Sequence, residues 1–250
     1  MSSVAVLFGL NYPGTNSKLN GCVNDANNMA SFVKTLGYDA HVFTDVDQKT
    51  RSYTTRKGIV GILQMYAQEA KTKRYKNFLI HYSGHGTYIK DLDGDEQDRR
   101  DECLVPFDFM QNGFITDDEI HAILSLFPSE TNIKIIMDCC HSGTICDLDY
   151  QKSSATEKMT FHKSKKPINA KCIMISGCMD SQTSADAYNM QNQGTFSGAL
   201  TTTFLECVSK NVHINSVDML KVIQSELKKR GFDQVPQLCG SYDFTRSSFF

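Results

Sequence analysis

Short apolar runs alternate along the chain with longer stretches of helical spacing. Val4-Ala5-Val6-Leu7-Phe8 is apolar at every position, as expected of a strand covered on both faces. Phe78–Tyr82, Ile133–Met137 and Cys172–Ile175 read as further strands, and His41–Phe43 and Val235–Leu238 as shorter ones. Between them the apolar positions fall three or four apart. Met29, Phe32, Val33 and Leu36 mark a helix over about 22–36 that stops at Gly37, a plausible C-cap residue. Ile59, Ile62, Leu63, Tyr66 and Ala70 mark a second over 54–70. A third, over about 117–126, opens with Thr116-x-x-Glu119, the pattern of a capping box. Two more are expected over about 195–208 and 217–229. Strands alternating with helices predict an α/β chain whose central, mostly parallel sheet of about six strands carries helices on both faces.

The pattern lapses after Tyr150. Residues 151–167 hold five lysines (Lys152, Lys158, Lys163, Lys165, Lys166) against the single Glu157, with no apolar period, and are expected to form a surface loop or disordered linker. The chain therefore divides into a large segment, 1–150, and a small one, 168–250, within one structural domain. Its 250 residues, 40% hydrophobic and 22% charged, suit a folded core and exclude a disordered or collagenous chain. A net charge of −2 gives no global attraction to nucleic acid or anionic lipid. No apolar run reaches the length of a membrane span, and the start lacks a signal pattern, so a cytoplasmic monomer is expected. Nine cysteines form no spaced framework, and thiols, at least one of them chemically employed, are the expectation.

Two polar clusters stand at the carboxyl ends of predicted strands, where open α/β sheets form their crevices. One is Ser83-Gly84-His85-Gly86 and the other Asp138-Cys139-Cys140-His141-Ser142-Gly143. A cysteine nucleophile needs a partner that takes its proton and returns it to the leaving amine, and histidine titrates in the right range. Of the two candidate bases, His81 falls inside a strand where burial is expected, and His85, on the loop between glycines, is preferred. Cys139 and Cys140 are adjacent, so their side chains cannot point the same way. Backbone N–H groups near Gly86 and Cys140 are candidates to receive an oxyanion. Zinc is disfavoured, since Cys139, Cys140, His141 and Cys146 match no usual ligand spacing.

Caspases carry their histidine about 50 residues before the cysteine; here the separation is 140 − 85 = 55. Together with Asp93-Gly94-Asp95-Glu96, Asp101-Glu102, Pro106-x-Asp108, Gly21-Cys22-x-Asn24-Asp25-Ala26, Ser176-Gly177-Cys178, Gln182-x-Ser184-Ala185-Asp186 and Pro236-Gln237-Leu238, the two clusters resemble metacaspases, cysteine peptidases of the caspase-like (caspase-hemoglobinase) fold. The likeness spans nearly the whole chain and is to the type I arrangement, without its prodomain, since the first strand begins at Val4. The family pattern Asp-x-Cys-His-Ser-Gly puts the nucleophile at Cys140 and makes Cys139 the variable position.

The resemblance implies that Asp25, Ser83 and Asp138 line the S1 pocket. Two carboxylates there favour Arg or Lys at P1 and repel aspartate. Protein or peptide substrates cut after Arg or Lys are expected, and the linker lysines become candidate self-cleavage sites. The resemblance also implies a calcium site, for which Asp101, Asp117, Asp118 and Asp147 match best. The acidic run 91–102 is not an EF-hand, because Glu96 stands where that loop needs glycine. Each carboxylate also has a plain structural reading: Asp138 as a turn or cap acceptor, Asp25 as a helix carboxylate, Asp117 and Asp118 as first-turn acids favoured by the helix dipole. The expected activity is that of a calcium-dependent cysteine endopeptidase. The alternatives are a catalytically silent scaffold on the same fold and a caspase-like hydrolase with aspartate specificity.

Overall fold

The computed structural model describes residues 2–72, 74–90, 100–139, 145–162, 166–177, 186–188 and 196–250. The first half runs β1 (Ser3–Gly9), α1 (Cys22–Thr35), β2 (Tyr38–Thr44), α2 (Arg56–Lys71) and β3 (Asn77–Ser83), then the strands β4 (Gly86–Lys90), β5 (Arg100–Leu104), the one-turn α3 (Phe109–Asn112) and β6 (Ile115–Thr116). It continues with α4 (Asp117–Leu124), β7 (Asn132–Asp138), β8 (Tyr150–Lys152), β9 (Thr160–Phe161) and β10 (Lys171–Ser176). The remainder is β11 (Asp186–Tyr188), β12 (Phe196–Gly198), α5 (Ala199–Lys210), α6 (Ser216–Lys229) and β13 (Gln237–Gly240).

The central sheet has the order β2-β1-β3-β7-β10-β13-β8-β9. Its first five strands are parallel, and β13, β8 and β9 follow antiparallel. The caspase-like α/β architecture is thus present, with eight strands in place of the expected six. The extra two arise from residues 151–167, expected to be a loop or disordered linker. Gln151 and Lys152 instead pair with β13, and Thr160–Phe161 close the edge. Lys152 is buried, and its ammonium donates to the Glu157 carbonyl. A long aliphatic stem buried under a satisfied ammonium lets a lysine-rich segment join a sheet that composition argued it would leave.

Each central strand is buried on both faces, and its residues divide by parity. Val4, Val6, Phe8, Phe78, Ile80, Tyr82, Ile133, Ile135, Met137, Cys172 and Met174 face one core, shared with α2 and α4. Ala5, Leu7, Leu79, Ile136, Ile173 and Ile175 face the other, shared with α1, α5 and α6. The capping box forms as the sequence proposed: Thr116 Oγ1 accepts from Glu119 N, and the Glu119 carboxylate accepts from Thr116 N. Glu119 also takes the Arg56 guanidinium at 2.6 Å, tying α4 to the start of α2. Among the described residues no helix is long and apolar enough to cross a membrane.

Strand register decides what reaches the carboxyl end of the sheet. Ser83 lies opposite Gly9 on one side and Asp138 on the other. By parity Ser83 and Asp138 share the face covered by α1 and α5, whereas Tyr82 faces the α2 and α4 core. His81 is fully buried on the Ser83 face, with Nε2 3.2 Å from Thr201 Oγ1 and no partner for Nδ1.

Desolvation lowers the His81 pKa to about 3, far below its ordinary 6.5. The unfolded chain therefore binds the proton that the folded chain refuses. The corresponding stability is complete above pH 6.5 and is lost as pH falls toward 3, by about 1.4 kcal/mol per pH unit. Urea unfolding at a series of pH values from 7.5 to 5 should show this acid limb, and His81→Gln should flatten it; an unchanged slope in the variant would remove His81 as its source.

Candidate active site

The segment after β3 turns sharply at Gly84, where the phenol oxygens of two buried tyrosines crowd the backbone. A Cβ at this position would lie 2.8 Å from Tyr82 Oη and 2.9 Å from Tyr12 Oη, so only glycine fits. His85 follows, half-buried, and Gly86 opens β4 directly after it. The His85 backbone is held on both sides. Its N–H donates to Tyr12 Oη at 2.9 Å, and its carbonyl accepts from Tyr82 Oη at 2.9 Å. The carbonyl also accepts from Val105 N–H at 3.2 Å.

The imidazole is oriented by the loop after β1. His85 Nε2 stands 2.7 Å from the Ser17 carbonyl, and the ring centroid is 4.9 Å from that of Tyr12. A carbonyl oxygen only accepts, so Nε2 carries the proton and the neutral ring keeps its lone pair on Nδ1. A base with its tautomer fixed in this way can take a proton from a neighbouring thiol. His81, the competing candidate, is sealed in the sheet and held neutral.

Cys139 is fully buried in the α2/α4 core. It is packed as a small hydrophobe. Cys140 itself lies outside the described residues, as do His141, Ser142 and Gly143.

Asp25, Ser83 and Asp138 come together as the sequence reading expected, from α1, β3 and β7. Ser83 Oγ donates to Asp25 Oδ2 at 2.7 Å. Gly198 N–H donates to Asp25 Oδ1 at 2.8 Å, and Thr201 N–H to Asp138 Oδ2 at 2.9 Å. Both carboxylates thus sit at the N-terminus of α5, whose orphan N–H groups and dipole stabilise negative charge. The plain capping role weighed for Asp138 is real and coexists with its place in the cluster. Gly198 is the residue that sequence reasoning missed. A Cβ there would lie 2.2 Å from Asp138 Oδ2 and 2.7 Å from Asp25 Oδ2. Tyr12, Ser17 and Tyr82 were also missed: two look like ordinary core residues, and a serine acting through its carbonyl leaves no side-chain signal.

The acidic set is less gathered. Asp117 is buried, accepts from Glu102 N at 2.8 Å and from Asp118 N at 2.9 Å, and burial pushes its pKa up to about 6, with Asp101 adding to the rise. Asp101 lies in β5, Asp118 is exposed on α4, and Asp147 follows the loop with φ +45°. Asp117 and Asp147 both act on the buried Cys146, whose thiol pKa is raised chiefly by burial. Among the described residues no three acidic, histidine or cysteine side chains converge as a metal cluster. Asp91, Asp93, Asp95 and Glu96 are outside the described residues.

The family profile described as the caspase domain matches residues 2–244. Metacaspase-2 of Trypanosoma brucei brucei is 35% identical over 254 aligned positions, covering 95% of this chain and 72% of that protein. Metacaspase-1B of Neurospora crassa is 33% identical, covering 98% of this chain and 68% of that protein. Among solved structures, a protein from Geobacter sulfurreducens superimposes with a TM-score of 0.67 at 25% identity, over 96% of this chain and 93% of that one. Caspase-1 from Spodoptera frugiperda superimposes with a TM-score of 0.62 at 13% identity, over 94% and 87%, a likeness of fold.

The close approach at Gly198 gives a direct test of the carboxylate cluster. Gly198→Ala should force Asp25 and Asp138 apart, raising KM for the preferred substrate at least about 10-fold while the far-UV spectrum stays native. Unchanged KM would show that the pocket tolerates the methyl group and that the contact is not binding-competent geometry.

Proposed function

The chain belongs to the caspase-domain family of cysteine peptidases, with metacaspases as its relatives, and from that premise we propose that it cleaves polypeptides after Arg or Lys through a Cys140/His85 dyad. In this reading His85 Nδ1 takes the Cys140 thiol proton, and the thiolate attacks the scissile carbonyl to form a C–S bond. Backbone N–H groups near Gly86 and Cys140 receive the developing oxyanion. The imidazolium returns its proton to the leaving amine as the C–N bond breaks. Water, deprotonated by the same imidazole, then hydrolyses the thioester and restores the thiol.

The observation that carries the P1 assignment is the gathering of Asp25, Ser83 and Asp138 around Gly198. Two buried carboxylates packed against Gly198 concentrate negative potential at that point. A carboxylate has about four acceptor positions, so backbone N–H groups can orient it while a guanidinium or ammonium still binds. An aspartate at P1 would bring a third negative charge into the same desolvated space.

Calcium dependence is the second part of the proposal. Asp101, Asp117, Asp118 and Asp147 are all hard oxygen donors of the type calcium takes, and the burial that raises Asp117 is a penalty that a nearby cation offsets. When bound, the ion would neutralise these carboxylates beside the strands that follow His85. Self-cleavage in the linker is the third part. Lys152 is buried with its ammonium engaged, so it offers no P1 side chain, whereas Lys158 and Lys166 are exposed.

A P1 peptide panel should give turnover on Arg and Lys and none on Asp; preference for Asp would overturn the pocket assignment. Cys140→Ala should abolish turnover, while Cys139→Ala keeps most of it at some cost in stability, and the reverse result would move the nucleophile. Titrating calcium into chelator-treated enzyme should restore activity, and a flat titration removes the metal from the scheme. Lys163 and Lys165 lie outside the described residues, and mass spectrometry of active enzyme should find linker cuts after Lys158, Lys163, Lys165 or Lys166 rather than Lys152.

A further inference from the structure

Tyr12 stands out among the buried residues near His85. It is fully buried yet carries φ +49°, a left-handed conformation that a bulky side chain adopts only when its surroundings impose it. Those surroundings are identifiable. The buried Asp45 carboxylate accepts from Tyr12 N–H at 2.5 Å and from Asn11 N–H at 3.0 Å. Thr15 Oγ1 donates to the Tyr12 carbonyl at 2.9 Å, and Arg51 Nε donates to the Asp45 carbonyl at 2.6 Å. Backbone conformation of this kind clusters where a side chain must be aimed.

The aim is toward His85. Each phenol has one proton to give. Tyr12 Oη accepts from His85 N–H and stands 2.7 Å from the Val105 carbonyl, while Tyr82 Oη stands 2.9 Å from both the His85 and the Val105 carbonyls and donates to one of them at a time. The two phenol oxygens are 3.1 Å apart, so neither can shift alone. Tyr12 also belongs to the loop that presents the Ser17 carbonyl to Nε2. It therefore touches both things that orient the imidazole: the backbone from which the ring projects and the loop that receives its far nitrogen.

We propose that Tyr12 is a positioning residue for peptide hydrolysis, its hydroxyl, with that of Tyr82, registering His85 so that Nε2 stays on the Ser17 carbonyl and the lone pair on Nδ1 remains available to accept the thiol proton. The inference rests on the Cys140/His85 reading. It adds a residue whose described contacts run to the histidine backbone and to the loop that holds its ring.

The test is the pH dependence of thiol alkylation by iodoacetamide, followed at Cys140 by peptide mass spectrometry, in the intact chain and in Tyr12→Phe, Tyr82→Phe and His85→Ala. Tyr12→Phe keeps the ring and removes the hydroxyl. It should lower kcat on an arginyl peptide by up to about 100-fold, the scale of a small misplacement of a catalytic group, with KM within about twofold. Its alkylation profile should move toward that of an isolated thiol, near 8.5, and His85→Ala should reach that limit. A profile that superimposes on the wild type, with kcat lost only in proportion to lost fold, would overturn the positioning role. Should Tyr12→Phe fail to fold, Tyr82→Phe is read by the same criteria. Coincident wild-type and His85→Ala profiles would instead overturn the dyad itself, and Tyr12's role with it.

Discussion

The contact on which the molecule depends is that of two buried carboxylates with the N-terminus of α5. Asp25 comes from the first helix and Asp138 from the end of a central strand, yet both accept backbone N–H groups from Gly198 and Thr201. The helix needs acceptors for its orphan donors, and the carboxylates need donors to remain charged without water. Each requirement answers the other. The same contact joins the large segment to the small one. In the proposed reading it also shapes the P1 pocket, so that recognition and segment assembly share these positions.

The opposite face of the sheet carries the histidine. Parity along β3 sends Ser83 toward the carboxylates and Tyr82 toward the α2/α4 core, so a single strand end supplies the acceptor pocket and the support of the base. A shift of one residue in register would exchange the two, placing a phenol among carboxylates and a serine in an apolar core. Burial of both faces by long apolar runs makes that shift costly. The placement of Ser83 and Tyr82 is in this sense a property of the core.

Much of this was legible in the sequence. Apolar runs gave six of the central sheet's eight strands, and helical spacing with the Thr116–Glu119 box located the longer helices. The likeness to metacaspases implied a shared place for Asp25, Ser83 and Asp138, and the three side chains do meet near Gly198. What was not legible has a common cause. Residues 151–167 look like a loop because their lysines have no apolar period, but pairing with β13 and the burial of one lysine's stem are set by a strand eighty residues away. Gly198 has no local signal, since its need arises from two side chains that arrive from elsewhere. Tyr12 looks like a core aromatic, and its backbone conformation is visible only in three dimensions. The hairpin of β4 and β5 was missed because its strands are short and polar and depend on each other for definition.

The edge of the sheet carries one further consequence. β8 precedes the exposed lysines of the linker, while its partner β13 lies at the far end of the chain; β7 and β10 straddle the same stretch. Among the described residues no strand pairing lies between Phe161 and Ile168, so severing the backbone there leaves the described ladders whole. The two fragments would stay interleaved like the fingers of folded hands, held by two independent strand pairings and by the carboxylate–helix contact. A nick there converts one covalent chain into a two-chain assembly without dissociation, so its effect is confined to freeing two new ends.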